Sequence, residues 1–135
     1  MAILAEDRGV RLCVEAPEET CVLGDAGRLR QVLLILLDNA LTYTPDDGSI
    51  TVRVARAGGQ ARLEVRDSGP GIAPADLPHL FERFYRADKA RRSGGTGLGL
   101  AIGRWIAAAH GGRLTAANAP EGGALFTVTL PLASS

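Results

Sequence analysis

Two glycine-rich segments and one asparagine constrain this chain more than any other part of its sequence. Residues 67–71 (DSGPG) end a strand-like stretch, and residues 94–100 (GGTGLGL) lead directly into a helical pattern. Glycines let the backbone approach a bound molecule closely, and the free N–H groups at the start of a helix can receive phosphate. With Asn39 upstream, the two segments predict a nucleotide-binding site.

The composition indicates one domain without a strong overall charge. The chain has 135 residues, 46% of them hydrophobic, and its 15 Lys and Arg residues balance its 15 Asp and Glu residues. Residues 1–135 are therefore predicted to form one domain that attracts neither nucleic acid nor an anionic membrane. No apolar run approaches the roughly 20 residues of a membrane helix, and the first residues lack the features of a signal peptide. We expect a cytoplasmic domain.

Hydrophobic periodicity divides the chain into strands and helices. Strands are predicted at residues 10–15, 21–23, 49–57, 60–66, 113–118 and 124–132, and helices at 25–43, 74–80 and 99–110. The first two strands are expected to pair as a hairpin at a sheet edge, and the first helix is expected to be buried on most sides. Because hairpins alternate with helices, a doubly wound fold is excluded. The predicted fold is α/β, a two-layer sandwich whose mixed, mostly antiparallel sheet of about five strands carries three helices on one face.

The polar segment before the second glycine segment is a candidate lid. Residues 87–95 are charged or small, which predicts mobility, and they follow the aromatic cluster of residues 81–86 (FERFYR). A dinucleotide fingerprint would require a buried strand at this point, and a Walker motif would require a Lys followed by Ser or Thr. Backbone amides are therefore predicted to donate hydrogen bonds to the phosphates.

Asn39 and Asp67 carry the predicted chemistry of the site. Asn39 interrupts an apolar helix, where it could bind Mg²⁺ beside a triphosphate or, alternatively, satisfy a buried backbone group. Asp67 ends a strand, where its carboxylate could accept a hydrogen bond from the exocyclic amine of a base or, alternatively, form an ordinary Asx turn. The co-occurrence of both glycine segments favours the ligand-binding interpretation for each.

These segments, in this order, resemble the four boxes of sensor histidine kinases over nearly the whole chain. Residues 29–45 resemble the N box, residues 67–71 the G1 box, residues 81–86 the F box and residues 95–100 the G2 box. The resemblance implies the Bergerat-type (GHKL) ATP-binding sandwich, with ATP under a flexible lid and Mg²⁺ bridging the phosphates to Asn39. It also implies that Asp67 recognises adenine.

The same resemblance implies a role for each matching residue. Asn39, Arg83 and Arg86 would be catalytic, the two arginines by approaching the phosphates, and Asn39 would be the metal ligand. The nucleotide would contact Asn39, Tyr43, Asp67, Gly69, Gly71, Ile72, Phe84, Gly95, Thr96, Gly97, Leu98, Gly99 and Leu100.

Two positions depart from the family pattern. Many members have Asn where this chain has Ile35, and Lys or Arg where it has Thr42. Gyrase-type relatives need an acidic base at the position of Ile35, and isoleucine cannot take a proton, so direct ATP hydrolysis is disfavoured. Phosphoryl donation remains, since positioning and charge neutralisation carry most of such a transfer.

The acceptor is expected outside this chain. Neither His79 nor His110 has the sequence context of the phosphoacceptor helix, so both are interpreted as structural. The expected partners are a dimerisation and phosphoacceptor helical domain of the same protein and, through the full kinase, a response regulator. The domain alone is expected to be a monomer, and a membrane anchor on the parent protein is an open alternative.

Two other functions remain open at this point. The domain could be an ATP-binding regulatory module of a weakly active kinase, because Ile35 and Thr42 make the phosphate surroundings less polar. It could also be an anti-sigma-factor type serine kinase, although the aromatic cluster of residues 81–86 favours the histidine kinases.

Overall fold

The computed structural model describes residues 2–5, 10–16, 22, 24–82 and 99–132. Its strands are β1 (Ala2–Ala5), β2 (Val10–Glu15), β3 (Ser49–Ala57), β4 (Gln60–Asp67), β5 (Arg113–Asn118) and β6 (Ala124–Pro131), and its helices are α1 (Ala26–Tyr43) and α2 (Gly99–Ala109). The strands form one six-stranded sheet in the order β1-β2-β3-β4-β6-β5. The predicted α/β class and mostly antiparallel sheet are confirmed, but the sheet has six strands where about five were expected, and β1 was not among the predicted strands.

The N-terminal strands pair differently from the prediction. β2 pairs antiparallel with β1 and parallel with β3. The expected hairpin between residues 10–15 and 21–23 is therefore wrong, as is the edge position of residues 10–15. Val22 is not part of a strand, and residues 21 and 23 lie outside the described part of the chain. Parallel pairing follows from α1, which connects β2 to β3 as a crossover.

One face of the sheet is apolar and carries the helices. Val52 lies beside Val65, Val65 lies beside Phe126, and all three are buried. The helices complete this core with Val32, Leu36 and Ala40 from α1, and Gly103, Ile106 and Ala107 from α2. On the opposite face Arg53, Arg62 and Arg66 are exposed. The prediction of helices on one face is thus confirmed.

Helix α1 begins and ends where the sequence indicates, but it is less buried than expected. Asp25 is the N-cap, and its side chain accepts a hydrogen bond from the Arg28 amide. The prediction of burial on most sides is wrong for Leu34, which is 57% exposed. A helix lying on a sheet buries one face, so residues on its outer side stay in solvent. No helix in the described ranges is long and apolar enough to cross a membrane.

The helix predicted at residues 74–80 is reduced to a single short turn. Within residues 74–80 only Leu77–His79 are helical, in a 3₁₀ turn. Pro78 supplies no backbone N–H, so a regular helix beginning at residue 74 would lack the hydrogen bond from residue 78 to the carbonyl of residue 74. The described residues therefore place two α-helices and one 3₁₀ turn over the sheet.

Candidate nucleotide-binding site

Asp67 is a buried carboxylate at the end of β4. It is 4% exposed, and its Oδ1 accepts hydrogen bonds from the amides of Gly69 at 2.8 Å and Ala124 at 3.3 Å. Burial raises the pKa of Asp67, while these two hydrogen bonds act in the opposite direction. Neither hydrogen bond uses Oδ2.

The loop after Asp67 packs too closely for side chains at two glycines. A Cβ on Gly69 would collide with the carbonyl oxygen of Tyr43, at the last residue of α1. Gly71 has a φ of +86°, and a Cβ there would lie 2.7 Å from Asn118 Oδ1. The loop is therefore pressed against both the end of α1 and the end of β5, as expected of a backbone that approaches other groups closely.

The turn between β5 and β6 completes this part of the site, and sequence reasoning missed it. The Asn118 carboxamide is hydrogen-bonded to both backbone groups of Ile72. Gly123 has a φ of +83°, and a Cβ there would collide with the carbonyl oxygen of Asp67. The Gly122-Gly123 pair predicts a turn, but nothing in the sequence indicates which loop that turn contacts.

One face of α1 connects the first glycine segment to the start of α2. Ile35, Asn39 and Tyr43 are four residues apart, so they follow one another on this face about 6 Å apart. Ile35 Cγ2 lies 3.5 Å from where a Gly99 Cβ would be, and the Tyr43 carbonyl faces Gly69. Asn39 is therefore one turn from each contact. The structure thus places Asn39 between the first glycine segment and Gly99, at the described end of the second.

Two hydroxyl groups near this stripe are engaged locally. Thr44 is 1% exposed, and its Oγ1 donates to the Ala40 carbonyl at 2.6 Å, which closes the C-terminus of α1. Thr42 Oγ1 donates to the Asp38 carbonyl at 2.9 Å. The Thr42 hydroxyl thus donates its hydrogen bond within its own helix. Many family members have a Lys or Arg at this position.

The start of α2 supplies backbone donors at the other end of the stripe. Gly99 and Leu100 are the first of its described residues, and the first N–H groups of an α-helix have no acceptor within the helix. Phe81, the first aromatic residue of the F-box segment, packs edge-to-face on Phe126 with ring centroids 6.4 Å apart, and the Arg104 guanidinium lies 5.5 Å from its centroid.

The predicted lid 87–95 lies outside the described residues, as do the predicted site residues Arg83, Phe84, Arg86, Gly95, Thr96, Gly97 and Leu98.

Both histidines take part in structural contacts. His79 Nδ1 lies 2.8 Å from Glu82 Oε2. His110 Nε2 accepts from the Asp25 amide at 3.1 Å, and Nδ1 lies 2.8 Å from the Ile106 carbonyl oxygen. His110 thereby joins the end of α2 to the start of α1, in agreement with its predicted role at a helix terminus.

The donor set fits Mg²⁺ held with the help of a nucleotide. Among the described residues no group of three or more His, Cys, Asp or Glu side chains could hold a metal ion. Mg²⁺ prefers oxygen ligands and commonly takes most of them from phosphates and water, so one amide oxygen from Asn39 suits it. The glycine loop and the Asp67 carboxylate likewise fit an adenine base.

Comparison with known proteins supports this interpretation. The family model described as "Histidine kinase-, DNA gyrase B-, and HSP90-like ATPase" matches residues 24–134. The histidine-protein kinase BaeS of Escherichia coli is 45% identical over 93% of this chain and 27% of its own length. The sensor histidine kinase component HK1 of Mycobacterium tuberculosis is 43% identical over 91% of this chain and 72% of its own length. The chain spans 27% to 34% of the length of BaeS, SphS and SenX3.

Solved structures give the same result. The mycobacterial sensor histidine kinase MprB superimposes with a TM-score of 0.82 and 34% identity, over 93% of this chain and 86% of that one. Full-length ShkA in complex with AMPPNP gives a TM-score of 0.83 and 34% identity, over 97% of this chain and 27% of that one. The chain therefore belongs to the histidine kinase-, gyrase B- and HSP90-like ATPase family, as a catalytic ATP-binding domain of the histidine kinase type.

Proposed function

We propose that this domain binds Mg-ATP and donates the γ-phosphoryl group to a histidine on a dimerisation and phosphoacceptor domain, which then serves a response regulator. The observation that carries the proposal is the buried Asp67 carboxylate, with Oδ1 held by two backbone amides. A fixed, ionised acceptor in a shielded loop distinguishes the amine of adenine from the carbonyl oxygen that guanine has at the same ring position. Residues 1–135 act as one cytoplasmic catalytic unit in this proposal.

The base lies against the glycine loop, next to the Asp67 carboxylate. Asp67 accepts from the base amine, and the absence of Cβ atoms at Gly69 and Gly71 lets the loop that carries it pack against Tyr43 and Asn118. Ile72 and Tyr43 supply apolar surface on either side. Both are partly exposed.

The phosphates lie along the stripe from Asn39 towards α2. Asn39 holds Mg²⁺, which when bound neutralises phosphate charge. The amides at Gly99 and Leu100 face the phosphates at the helix N-terminus. By the family resemblance, Arg83, Phe84, Arg86, Gly95, Thr96, Gly97 and Leu98 complete the nucleotide contacts.

Ile35 favours transfer over hydrolysis. Its Cγ2 packs at the start of α2, near Gly99 and Gly103. A hydrocarbon side chain at this position cannot activate water as a general base. Since His79 and His110 are in structural contacts, the acceptor histidine comes from another domain.

A second candidate function rests on Thr42. This chain has Thr42 where many members have a cation, and the Thr42 hydroxyl donates to the Asp38 carbonyl. A site with weaker phosphate contacts suits an ATP-binding regulatory module that docks or releases its helical partner. The serine-kinase alternative is less supported, because the matched relatives are named histidine kinases.

Two experiments test these functions in sequence. Calorimetric titration with ATP, ADP and GTP, with and without Mg²⁺, should show adenine-selective, Mg²⁺-sensitive binding, and absence of binding would contradict both functions. Incubation with γ-labelled ATP and the phosphoacceptor domain should then label its histidine, while a domain with that histidine replaced by Gln should stay unlabelled. Tight ATP binding without labelling would favour the regulatory module.

A further inference from the structure

Asn118 joins the end of β5 to the end of the glycine loop. Its Oδ1 accepts a hydrogen bond from the Ile72 amide at 2.6 Å, and its Nδ2 donates to the Ile72 carbonyl at 2.9 Å. The carboxamide thus satisfies both backbone groups of one residue, as a neighbouring strand would. A two-point contact of this kind fixes the position and the orientation of Ile72.

The same side chain also occupies the space beside Gly71. A Cβ at Gly71 would lie 2.7 Å from Asn118 Oδ1. Gly71 has a φ of +86°, a conformation that L side chains rarely adopt. The absence of a side chain at Gly71 therefore lets the Asn118 carboxamide reach the backbone of Ile72.

The other end of the loop is held by the strand that pairs with Asn118. Asn118 is opposite Ala124 in the β5–β6 ladder, and the Ala124 amide donates to Asp67 Oδ1 at 3.3 Å. The connecting turn is closed by a hydrogen bond from the Ala119 amide to the Gly123 carbonyl at 2.9 Å. One end of this hairpin therefore fixes both Asp67 and Ile72, which flank Gly69 and Gly71.

We propose that Asn118 is a positioning residue that sets the base preference of this site. It fixes the backbone of Gly71 and Ile72. The fixed loop restricts a bound purine to the orientation in which its exocyclic amine meets Asp67. The inference rests on the proposed function, because it requires adenine at this loop. Asn118 acts through Ile72 and needs no contact with the nucleotide.

The carboxamide is the group that this role requires. Asn118→Asp keeps the size and the acceptor for the Ile72 amide, but it places an oxygen against the Ile72 carbonyl where Nδ2 now donates. Asn118→Ala removes both hydrogen bonds. Thr115→Ala is a matched control, because Thr115 is exposed on the same strand.

The test compares ATP, ADP and GTP affinities of the parent domain and the three variants by calorimetric titration. Both Asn118 variants should bind ATP and ADP about three- to tenfold more weakly, since solvent competes for these hydrogen bonds at an exposed residue. The preference for ATP over GTP should fall by a similar factor, and Thr115→Ala should match the parent. Asn118→Asp, which keeps the side-chain size, serves as the folded variant if Asn118→Ala does not fold.

The outcomes separate this inference from the proposed function. If the parent binds no ATP, the proposed function fails and the inference fails with it. If the parent binds ATP selectively and the Asn118 variants keep both its affinity and its preference, only the inference is overturned. Equal losses for ATP and GTP would also overturn it, because a purely structural role weakens both nucleotides alike.

A measurement on the unaltered domain gives an independent check. The Ile72 amide lies in a loop, and Asn118 Oδ1 is its hydrogen-bond acceptor. In the nucleotide-free domain this amide should exchange with solvent at least about tenfold more slowly than an unbonded loop amide. Exchange at the rate of an unbonded amide would show that the contact does not persist, and would overturn the inference.

Discussion

The two ends of the candidate site are built from opposite kinds of contact. At the base end, Asp67 and Asn118 hold the glycine loop through hydrogen bonds to backbone groups. At the α2 end, Ile35 meets Gly99 and Gly103 through an apolar contact. Hydrogen bonds fix the relative orientation of the groups they join, whereas apolar contacts are not directional and only keep the groups close together. Base selectivity should therefore depend on the hydrogen-bonded end, and the apolar end should contribute mainly stability.

The strongest perturbation of the base end is a side chain at Gly123. Gly123→Ala should lower the free energy of unfolding by about 3 kcal/mol or more, because its positive φ is strained and its Cβ collides with the Asp67 carbonyl. Gly122→Ala is the control, since its φ is also positive but a Cβ there meets nothing within 4 Å. Urea denaturation measures both, and equal losses would show that the collision is relieved at no cost.

Asp67→Asn should separate ligand binding from stability at the base end. It should weaken ATP binding by about 1.5 to 3 kcal/mol, because a charge-assisted acceptor is lost. The free energy of unfolding without nucleotide should not decrease, because burial disfavours the negative charge that the substitution removes. Calorimetry and urea denaturation measure the two effects, with Glu64→Gln on the same strand as control. Parent-like ATP affinity would place the base elsewhere.

Asn39→Ala tests the middle of the stripe. It should remove the Mg²⁺-dependent part of ATP binding, a loss of about tenfold or more, and leave metal-free binding nearly unchanged. Asp38→Ala, at the exposed neighbouring position of α1, is the control. Titrations with and without Mg²⁺ measure the difference. An Asn39 variant that keeps the full Mg²⁺ effect would exclude it as the ligand.

The pH dependence of binding should originate at the base end. Burial raises the pKa of Asp67 above its ordinary value of 3.8, so the ionised form lowers stability near neutrality. This cost is relieved as pH falls through the raised pKa, and the ionised acceptor is lost in the same window. ATP affinity should thus fall several-fold more on acidification in the parent than in Asp67→Asn, which shares every titration of the nucleotide itself. Parallel profiles would contradict this.

The smallest expected effect concerns the apolar end. Ile35→Ala should lower the free energy of unfolding by about 1 kcal/mol, because a partly buried contact with α2 is lost. Leu34→Ala, the exposed neighbour, should change it by less than about 0.5 kcal/mol. Neither should alter the preference for ATP over GTP. A change of preference in Ile35→Ala would show that base selectivity extends to the α2 end.

Local signals made much of the fold predictable. Asp25, an N-cap residue, and Pro45 bracket α1, and the Gly58-Gly59 turn joins β3 to β4. The parallel pairing of β2 with β3 was missed because no local signal specifies a partner across a helix. The exposure of Leu34 was missed because the density of apolar residues does not show which face meets the sheet.

The site was predictable where a motif carries its own chemistry. The structure places Asp67 and the first glycine segment at a strand end beside α1, in line with the prediction, while the ligand roles themselves remain predictions. Asn118 was missed because its contact with Ile72 spans 46 positions and gives no local signal. Contacts of this kind become visible only when the sheet is assembled.

The large sequence separation of these contacts affects when the candidate site forms during folding. The Asp67 contact with Ala124 spans 57 positions, and both it and the Asn118 contact need the β5–β6 hairpin in place. Closing such long chain segments costs entropy before any contact repays it, so these contacts are expected to form late. A chain cleaved before this hairpin would keep the glycine segments of residues 67–71 and 94–100 and still lack these contacts. Nucleotide binding by this domain should therefore report completed folding.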